Sequence, residues 1–145
     1  MIIVKTKILL VDDDPAIREM LGRILDDQGY LVLPAGNGRD ALDLADATAV
    51  DLVLLDLNLP VKNGWDTFEQ FTARNPLIPV IIITARPNQV FPALAAGAGA
   101  LMEKPLDFQV LLDTISELLK ETPETRLARL AGRPAEFHYS PGRQN

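Results

Sequence analysis

The stretch Ile8-Leu9-Leu10-Val11-Asp12-Asp13-Asp14-Pro15 decides the fold of this chain. Its first half is a short, uninterrupted apolar run, which is typical of a strand buried inside a parallel sheet. Three aspartates follow at once, and the pair Asp14-Pro15 signals a helix start, with Asp14 as the N-cap and Pro15 in the first helical position. The stretch therefore predicts a buried strand, a loop rich in carboxylates and a helix, in that order.

The same alternation of strand and helix signals continues along the chain. Apolar runs predict four more strands, at residues 30–34, 52–55, 79–83 and 100–102. Apolar residues at helical spacing follow each strand, although Pro92 inside the fourth segment predicts a helix that is short, kinked or late to start. Five strands alternating with five helices imply an α/β fold, with a parallel sheet covered by helices on both faces.

Composition excludes several classes of protein. The chain has 145 residues, of which 48% are hydrophobic and 23% are charged, which is enough to form one domain with a sizeable core. The absence of cysteine excludes disulfide scaffolds, thiolate zinc sites and cysteine nucleophiles. The single histidine, His138, argues against a histidine-cluster metal site and against a Ser-His-Asp triad.

Charge is divided unevenly along the chain. Residues 1–121 carry 10 basic and 18 acidic side chains, whereas residues 122–145 carry 4 basic and 2 acidic ones. The acidic body argues against nucleic acid as a direct ligand. The longest apolar stretch, residues 93–102, is about half a membrane span, and the N-terminus lacks the features of a signal peptide. We therefore expect a cytoplasmic protein that contacts neither nucleic acid nor membrane directly.

The residues that directly follow the predicted strands are the candidate functional residues, because ligands of such sheets bind beyond the carboxyl ends of the strands. These residues are Asp12, Asp13, Asp14, Asp56, Thr84 and Lys104. Clustered carboxylates repel one another and need a cation, and an all-oxygen site selects Mg²⁺ or Mn²⁺. A lysine and a hydroxyl beside a metal can hold a phosphoryl group, and a carboxylate between them can act as its nucleophilic acceptor.

Five motifs together resemble the receiver domain of two-component response regulators. They are Val11-Asp12-Asp13-Asp14-Pro15, Leu54-Leu55-Asp56-Leu57-Asn58-Leu59-Pro60, Asn63-Gly64, Ile83-Thr84-Ala85 and Glu103-Lys104-Pro105. Each motif alone is weak, but their order and spacing over roughly residues 5–121 are specific. The resemblance implies a flavodoxin-like fold with strand order 2-1-3-4-5, and a receiver domain at residues 1–121.

The resemblance also implies a role for each matching position. Asp56 matches the phosphoacceptor, Asp12 and Asp13 match the acidic pair that binds Mg²⁺, the backbone carbonyl of Asn58 matches a further metal ligand, Thr84 matches the switch hydroxyl and Lys104 matches the lysine that bonds the phosphoryl oxygens. Pro105 matches a proline that is often preceded by a cis peptide bond. A histidine kinase or histidine phosphotransfer protein would donate the phosphoryl group, an unknown downstream protein would receive the signal, and a homodimer is an option.

Two alternatives stay open at this stage. Leu101 stands where the family commonly has an aromatic residue, and Pro87 and Pro92 shorten the fourth helix, so the chain could be a degenerate receiver that acts as a constitutive scaffold. The Asp-x-Asp within residues 12–14 also resembles the haloacid-dehalogenase-type phosphatases. That family expects Thr or Val two residues after the second Asp, whereas this chain has Ala16 and is short for that fold.

Residues 122–145 differ in character from the rest of the chain. Thr122-Pro123 predicts the start of a short helix, which Gly132 and Pro134 would end. The remainder is expected to be a flexible, solvated tail that contains His138 as a poor candidate for a phosphodonor. This segment is too short for a winged-helix or helix-turn-helix output domain. We therefore expect either a stand-alone receiver or a part of a longer protein.

Overall fold

Strands and helices alternate throughout the computed structural model, which describes residues 4–59, 63–133 and 136–142. In chain order the elements are β1 (Lys7–Val11), α1 (Pro15–Asp27), β2 (Leu31–Ala35), α2 (Gly38–Ala47), β3 (Leu52–Asp56), α3 (Gly64–Arg74), β4 (Val80–Thr84), α4 (Val90–Ala96), β5 (Ala100–Glu103), α5 (Phe108–Lys120), α6 (Pro123–Leu130) and β6 (His138–Ser140). Pro60, which ends one quoted motif, and Pro134, the predicted helix stop, lie outside the described residues.

The sheet is parallel throughout and has the order β2-β1-β3-β4-β5-β6. The predicted flavodoxin-like fold and the order of its first five strands are confirmed. The prediction of five strands is wrong by one, because residues 138–140 pair with β5 as a sixth strand. No apolar run marks this short segment, and its pairing depends on the edge that β5 offers, so a local sequence pattern could not reveal it.

Two apolar layers hold the helices on the two faces of the sheet. Side chains alternate along β1, so that its residues enter two separate buried clusters. Leu9 and Val11 belong to the first cluster, together with Phe68 and Phe71 of α3. Ile8 and Leu10 belong to the other cluster, which α1 and α5 cover. All residues of β3 and β4 are buried. These two strands are central and are covered on both faces, which explains their continuous apolar sequences.

Polar caps set the helix starts that position the site. Asp14 accepts a hydrogen bond from the Ala16 amide at 2.9 Å, and Pro15 occupies the first turn of α1. Asp14 therefore acts as an N-cap, as its sequence predicts. Helix α4 begins only at Val90, has 7 residues and lacks a side-chain cap. Pro92 lies in its first turn, where a missing amide proton breaks no helical hydrogen bond, so the predicted late start is confirmed.

The predicted short helix after α5 is present as α6, but this segment is docked on the domain and residues 138–140 pair with β5, which corrects the expectation of a solvated, flexible tail. Arg126 and Arg129 of α6 are 1% and 3% exposed, whereas Leu127 is 45% exposed. Arg126 donates from Nη1 to the carbonyl of Gly97 at 2.6 Å. Arg129 donates to the carbonyl of Glu136 at 2.7 Å and forms an ion pair with Glu121. Both arginines thus donate to backbone carbonyls of other segments. The periodicity of a sequence does not show such contacts.

Arg126 gives a first testable prediction about stability. Its Nε and Nη2 atoms have no hydrogen-bond partner among the described residues, and burial, together with the charge of Arg129, lowers its pKa to about 10. Replacing a buried charge by an apolar side chain of similar volume is often neutral or stabilising. We expect Arg126→Met to leave the free energy of unfolding within about 1 kcal/mol of wild type, and Arg126→Ala to lower it by about 2 kcal/mol or more. Urea denaturation of both variants measures the difference, and equal losses would contradict the prediction.

Candidate functional site

The strand ends bring the predicted side chains together at one edge of the sheet. Asp12 follows β1, Asp56 ends β3, Thr84 ends β4 and Lys104 follows β5. The side chains of Asp12, Asp56 and Thr84 are 2%, 3% and 1% exposed. Because four parallel strands end at the same level, polar groups that are far apart in sequence line a single crevice.

Lys104 links the two buried carboxylates. Its Nζ atom donates to Oδ2 of Asp56 at 2.7 Å and lies 3.5 Å from Oδ2 of Asp12. Burial alone would lower the pKa of Lys104, but the hydrogen bond and the charge of Asp56 outweigh it, so the pKa is raised above its usual value. The side chain therefore stays protonated and supplies a positive charge between the carboxylates.

Three carboxylates form a group that suits a hard cation. Oxygens of Asp12, Asp13 and Asp56 lie within 4.8 Å of one another, and Asp13 is the exposed member. Burial raises the pKa of Asp12, since removal from water disfavours its charged form, and the charge of Asp56 adds to this effect. Lys104 alone does not balance three negative charges. The residues present therefore fit a divalent cation with oxygen ligands, of which Mg²⁺ is the typical example.

Asp56, the candidate phosphoacceptor, holds Asn58 in position through a hydrogen bond. The backbone amide of Asn58 donates to Oδ1 of Asp56 at 2.9 Å, so the two oxygens of Asp56 have different partners. This contact holds the start of the loop after β3 beside the carboxylate group. The role of the Asn58 carbonyl as a metal ligand stays a prediction.

Thr84 is tied to the loops on both sides of it. Its Oγ1 atom accepts a hydrogen bond from the Arg86 amide at 2.9 Å, and its carbonyl accepts from the Lys104 amide at 2.8 Å. The guanidinium of Arg86 donates to the carbonyl of Leu57 at 3.4 Å. These bonds connect the loops after β3, β4 and β5.

Several supporting contacts escaped the sequence analysis. Arg18 donates from Nη1 to the carbonyl of Asp12 at 2.7 Å and so holds the acidic loop against α1. Trp65 donates from its indole nitrogen to Gln89 at 3.0 Å, which joins α3 to the start of α4. The sequence shows only that Arg18 is a polar residue one turn into α1, which does not reveal its bond to Asp12.

Gly64 makes the tightest backbone contact near the site. Its amide donates to the carbonyl of Leu57 at 3.0 Å, and a Cβ atom added to it would lie 2.3 Å from the Leu57 Cα. Only glycine allows α3 to begin this close to the loop that follows Asp56. The Lys104–Pro105 peptide bond is cis, which agrees with the expectation from the family.

Comparison with known proteins identifies the class to which this fold and site belong. The family described as "Response regulator receiver domain" matches residues 8–116. The chain is 37% identical to the transcriptional regulatory protein CpxR of Klebsiella pneumoniae subsp. pneumoniae, over 95% of this chain and 62% of that protein. The chain therefore belongs to the response regulator receiver domain family, and it spans less than two thirds of this relative.

Solved structures support the same assignment. A CheY-like response regulator receiver domain protein from Methanospirillum hungatei matches with a TM-score of 0.78 and 32% identity, over 83% of this chain and 98% of that one. The response regulator TrrA from Thermotoga maritima, solved in complex with Mg²⁺ and BeF, matches with a TM-score of 0.73 and 29% identity, over 78% and 98% of the two chains. None of the helices within the described residues has the length and apolar character needed to cross a membrane.

Proposed function

We propose that this chain is a phosphorylation-controlled signalling switch, which accepts a phosphoryl group on Asp56 and then changes its partner-binding surface. The contact that carries the proposal is the 2.7 Å bond between Lys104 Nζ and Asp56 Oδ2, inside a crevice that also gathers Asp12 and Asp13. A nucleophilic carboxylate, a fixed ammonium group and a set of oxygen ligands are the parts that phosphoryl transfer to an aspartate requires.

Each side chain has a distinct task in this reaction. Asp56 attacks the phosphorus of a donor phosphohistidine, so that an oxygen–phosphorus bond forms as the nitrogen–phosphorus bond breaks. Lys104 exchanges its bond to Asp56 for a bond to the phosphoryl oxygens, and the Thr84 hydroxyl donates a hydrogen bond to them. Asp12, Asp13, Asp56 and the Asn58 carbonyl would hold Mg²⁺, which when bound neutralises charge on the transferring group. The same residues would support self-dephosphorylation, with no metabolite turned over.

Partners follow from this chemistry. The donor would be a histidine kinase or a histidine phosphotransfer protein, because the site itself offers no histidine. The transfer would take place in the cytoplasm. The relative CpxR is named as a transcriptional regulatory protein, so control of transcription is an output that suits a longer protein with this receiver. The prediction of no direct contact with nucleic acid applies to these 145 residues alone, whose net charge is −6.

Removal of the exposed carboxylate gives a prediction about the metal site. Asp13→Ala should weaken Mg²⁺ binding at least about tenfold, because it removes one charged ligand from the group while Lys104 still balances the buried pair. Titration of Mg²⁺ followed by the fluorescence of Trp65 measures the affinity. Asp14→Asn is the matched control, since Asp14 caps α1 and asparagine caps equally well. Equal affinities for the Asp13→Ala variant and wild type would contradict the assignment of Asp13.

Beryllofluoride, which mimics a phosphoryl group on an aspartate, tests the proposed function. With millimolar Mg²⁺ it should bind and change the Trp65 fluorescence, because Trp65 lies one residue beyond Gly64 and contacts α4 through Gln89. Wild-type protein that shows no response in fluorescence or in its backbone amide NMR shifts would instead favour a constitutive scaffold. Haloacid-dehalogenase-type activity is checked with a generic phosphate ester, and no hydrolysis is expected.

A further inference from the structure

The C-terminal extension, defined here as residues 122–133 and 136–142, closes the edge of the sheet. Its strand β6 pairs with β5 in parallel, with Leu101 opposite Tyr139 and Met102 opposite Ser140. Without β6, β5 would be the edge strand, because it follows β4 in the strand order. An edge strand presents unpaired backbone donors and acceptors that can bind another strand. The extension therefore occupies a strand-binding surface of its own domain.

The extension also contacts both helices that flank β5. Arg126 bonds to the carbonyl of Gly97, the residue that ends α4, at 2.6 Å. On the other side, Nδ1 of His138 lies 3.4 Å from Glu117 of α5. The extension thus pairs along the β5 edge, and it also contacts the C-terminal end of α4 and one side chain of α5.

One end of the extension reaches the lysine of the phosphoryl site. The Tyr139 hydroxyl donates to Glu103 at 2.6 Å, directly before Lys104. A Cβ atom added to Gly142 would lie 2.7 Å from the carbonyl oxygen of Lys104, so the two backbones are in close contact. The ammonium group of the same lysine is bonded to Asp56. Lys104 therefore contacts the phosphoacceptor through its side chain and the extension through its backbone.

We propose that β6 is a cis-acting strand that pairs with the β5 edge while Asp56 is free and leaves this edge when Asp56 carries a phosphoryl group, whereas α6 stays docked through Arg126. The inference rests on the proposed function. Phosphorylation of Asp56 changes the partner of the Lys104 ammonium group, and the carbonyl of the same residue lies against Gly142, where an added Cβ would be 2.7 Å away. Strand β6 has only 3 residues, so little docking energy opposes its release. The uncovered β5 edge then fits an extended segment of a partner protein, which binds by strand addition.

Hydrogen exchange in the full chain tests this inference. With Mg²⁺ and saturating beryllofluoride, the backbone amides of residues 137–140 should exchange at least about fivefold faster than with Mg²⁺ alone, which is a typical size for coupling between two sites. Trp65 fluorescence in the same samples reports whether beryllofluoride is bound. Amides of β3, which is central in the sheet, provide the internal reference and should not change.

Variants of the extension test the reciprocal effect. Tyr139→Phe removes only the bond to Glu103, and Gly142→Ala adds a methyl group against the Lys104 carbonyl. Both should speed exchange at residues 137–140 without beryllofluoride and should tighten beryllofluoride binding, because coupling acts equally in both directions. The matched control is Gly22→Ala, where an added Cβ would have no atom within 4 Å, and it should change neither quantity.

The outcomes separate this inference from the function on which it rests. Bound beryllofluoride with unchanged exchange at residues 137–140 would overturn the inference and leave the proposed function intact. Failure of beryllofluoride to bind would overturn both. Faster exchange in the two variants with no gain in beryllofluoride affinity would show that the extension is docked but uncoupled from Asp56, which also rejects the inference.

Discussion

Phosphoryl incorporation should fall below about a thousandth of the wild-type rate when Asp56 is replaced by asparagine, as expected for loss of a nucleophile. The carboxamide can still accept the hydrogen bond from the Asn58 amide, so the loop after β3 keeps its place. It is not a nucleophile, however, and it offers Lys104 no charge. The measurement is the incorporation of acid-labile phosphate into the full chain from acetyl phosphate or from a phosphorylated histidine kinase.

The matched control for this experiment lies at the other end of the same strand. Asp51 directly precedes β3 and accepts a hydrogen bond from the Lys7 amide at 2.8 Å, at the edge of the sheet opposite to Asp56. Asp51→Asn removes one carboxylate from the chain without touching the crevice, so labelling should continue at the wild-type level. Undiminished labelling of the Asp56→Asn variant would reject Asp56 as the acceptor and, with it, the proposed function.

A large loss of stability is expected from Gly64→Ala. The added Cβ would lie 2.3 Å from the Leu57 Cα and 2.7 Å from its carbonyl oxygen, and these backbone atoms cannot rotate away as a side chain could. Helix α3 must therefore move from the loop that follows Asp56. We expect the free energy of unfolding to fall by about 3 kcal/mol, at the upper end of the usual cost of overpacking. Urea denaturation measures the change.

Gly22→Ala separates this steric effect from the general effect of replacing glycine in a helix. Gly22 lies inside α1, and an added Cβ there would meet no atom within 4 Å. Helix propensity alone should raise the stability of this variant by up to about 1 kcal/mol. A loss below about 1 kcal/mol in Gly64→Ala would mean that the contact with Leu57 relaxes without strain.

Local patterns were enough to predict the sheet and the members of its crevice. A run such as Ile8–Val11 indicates a buried strand because both faces of a central strand pack against helices. A polar residue directly after such a run lies at the carboxyl edge of a parallel sheet. Asp12, Asp56, Thr84 and Lys104 all follow this rule, and the structure brings them together. Their chemical roles remain predictions until the variants are measured.

Contacts between distant segments were beyond the reach of such patterns. The bond from Arg18 to the Asp12 carbonyl, the approach of Gly64 to Leu57 and the burial of Arg126 each depend on how separate elements pack. In every case the partner is a backbone atom, which is the same in all residues and so leaves no signal in sequence. The sequence shows glycine and arginine at these positions, but it does not show the contacts that require them.

The sequence by itself determined the parallel sheet and the residues at the strand ends, because both depend on neighbouring residues and on a rule of strand direction, and the resemblance of its five motifs to a known family indicated the class of protein. Only the tertiary structure decided what residues 138–140 do. Their pairing with β5 depends on an edge that exists once the other strands are assembled, and on α6 being held at Gly97 and Glu121. A segment expected to be a flexible tail is therefore an edge strand of the sheet, because its partners are the folded domain itself.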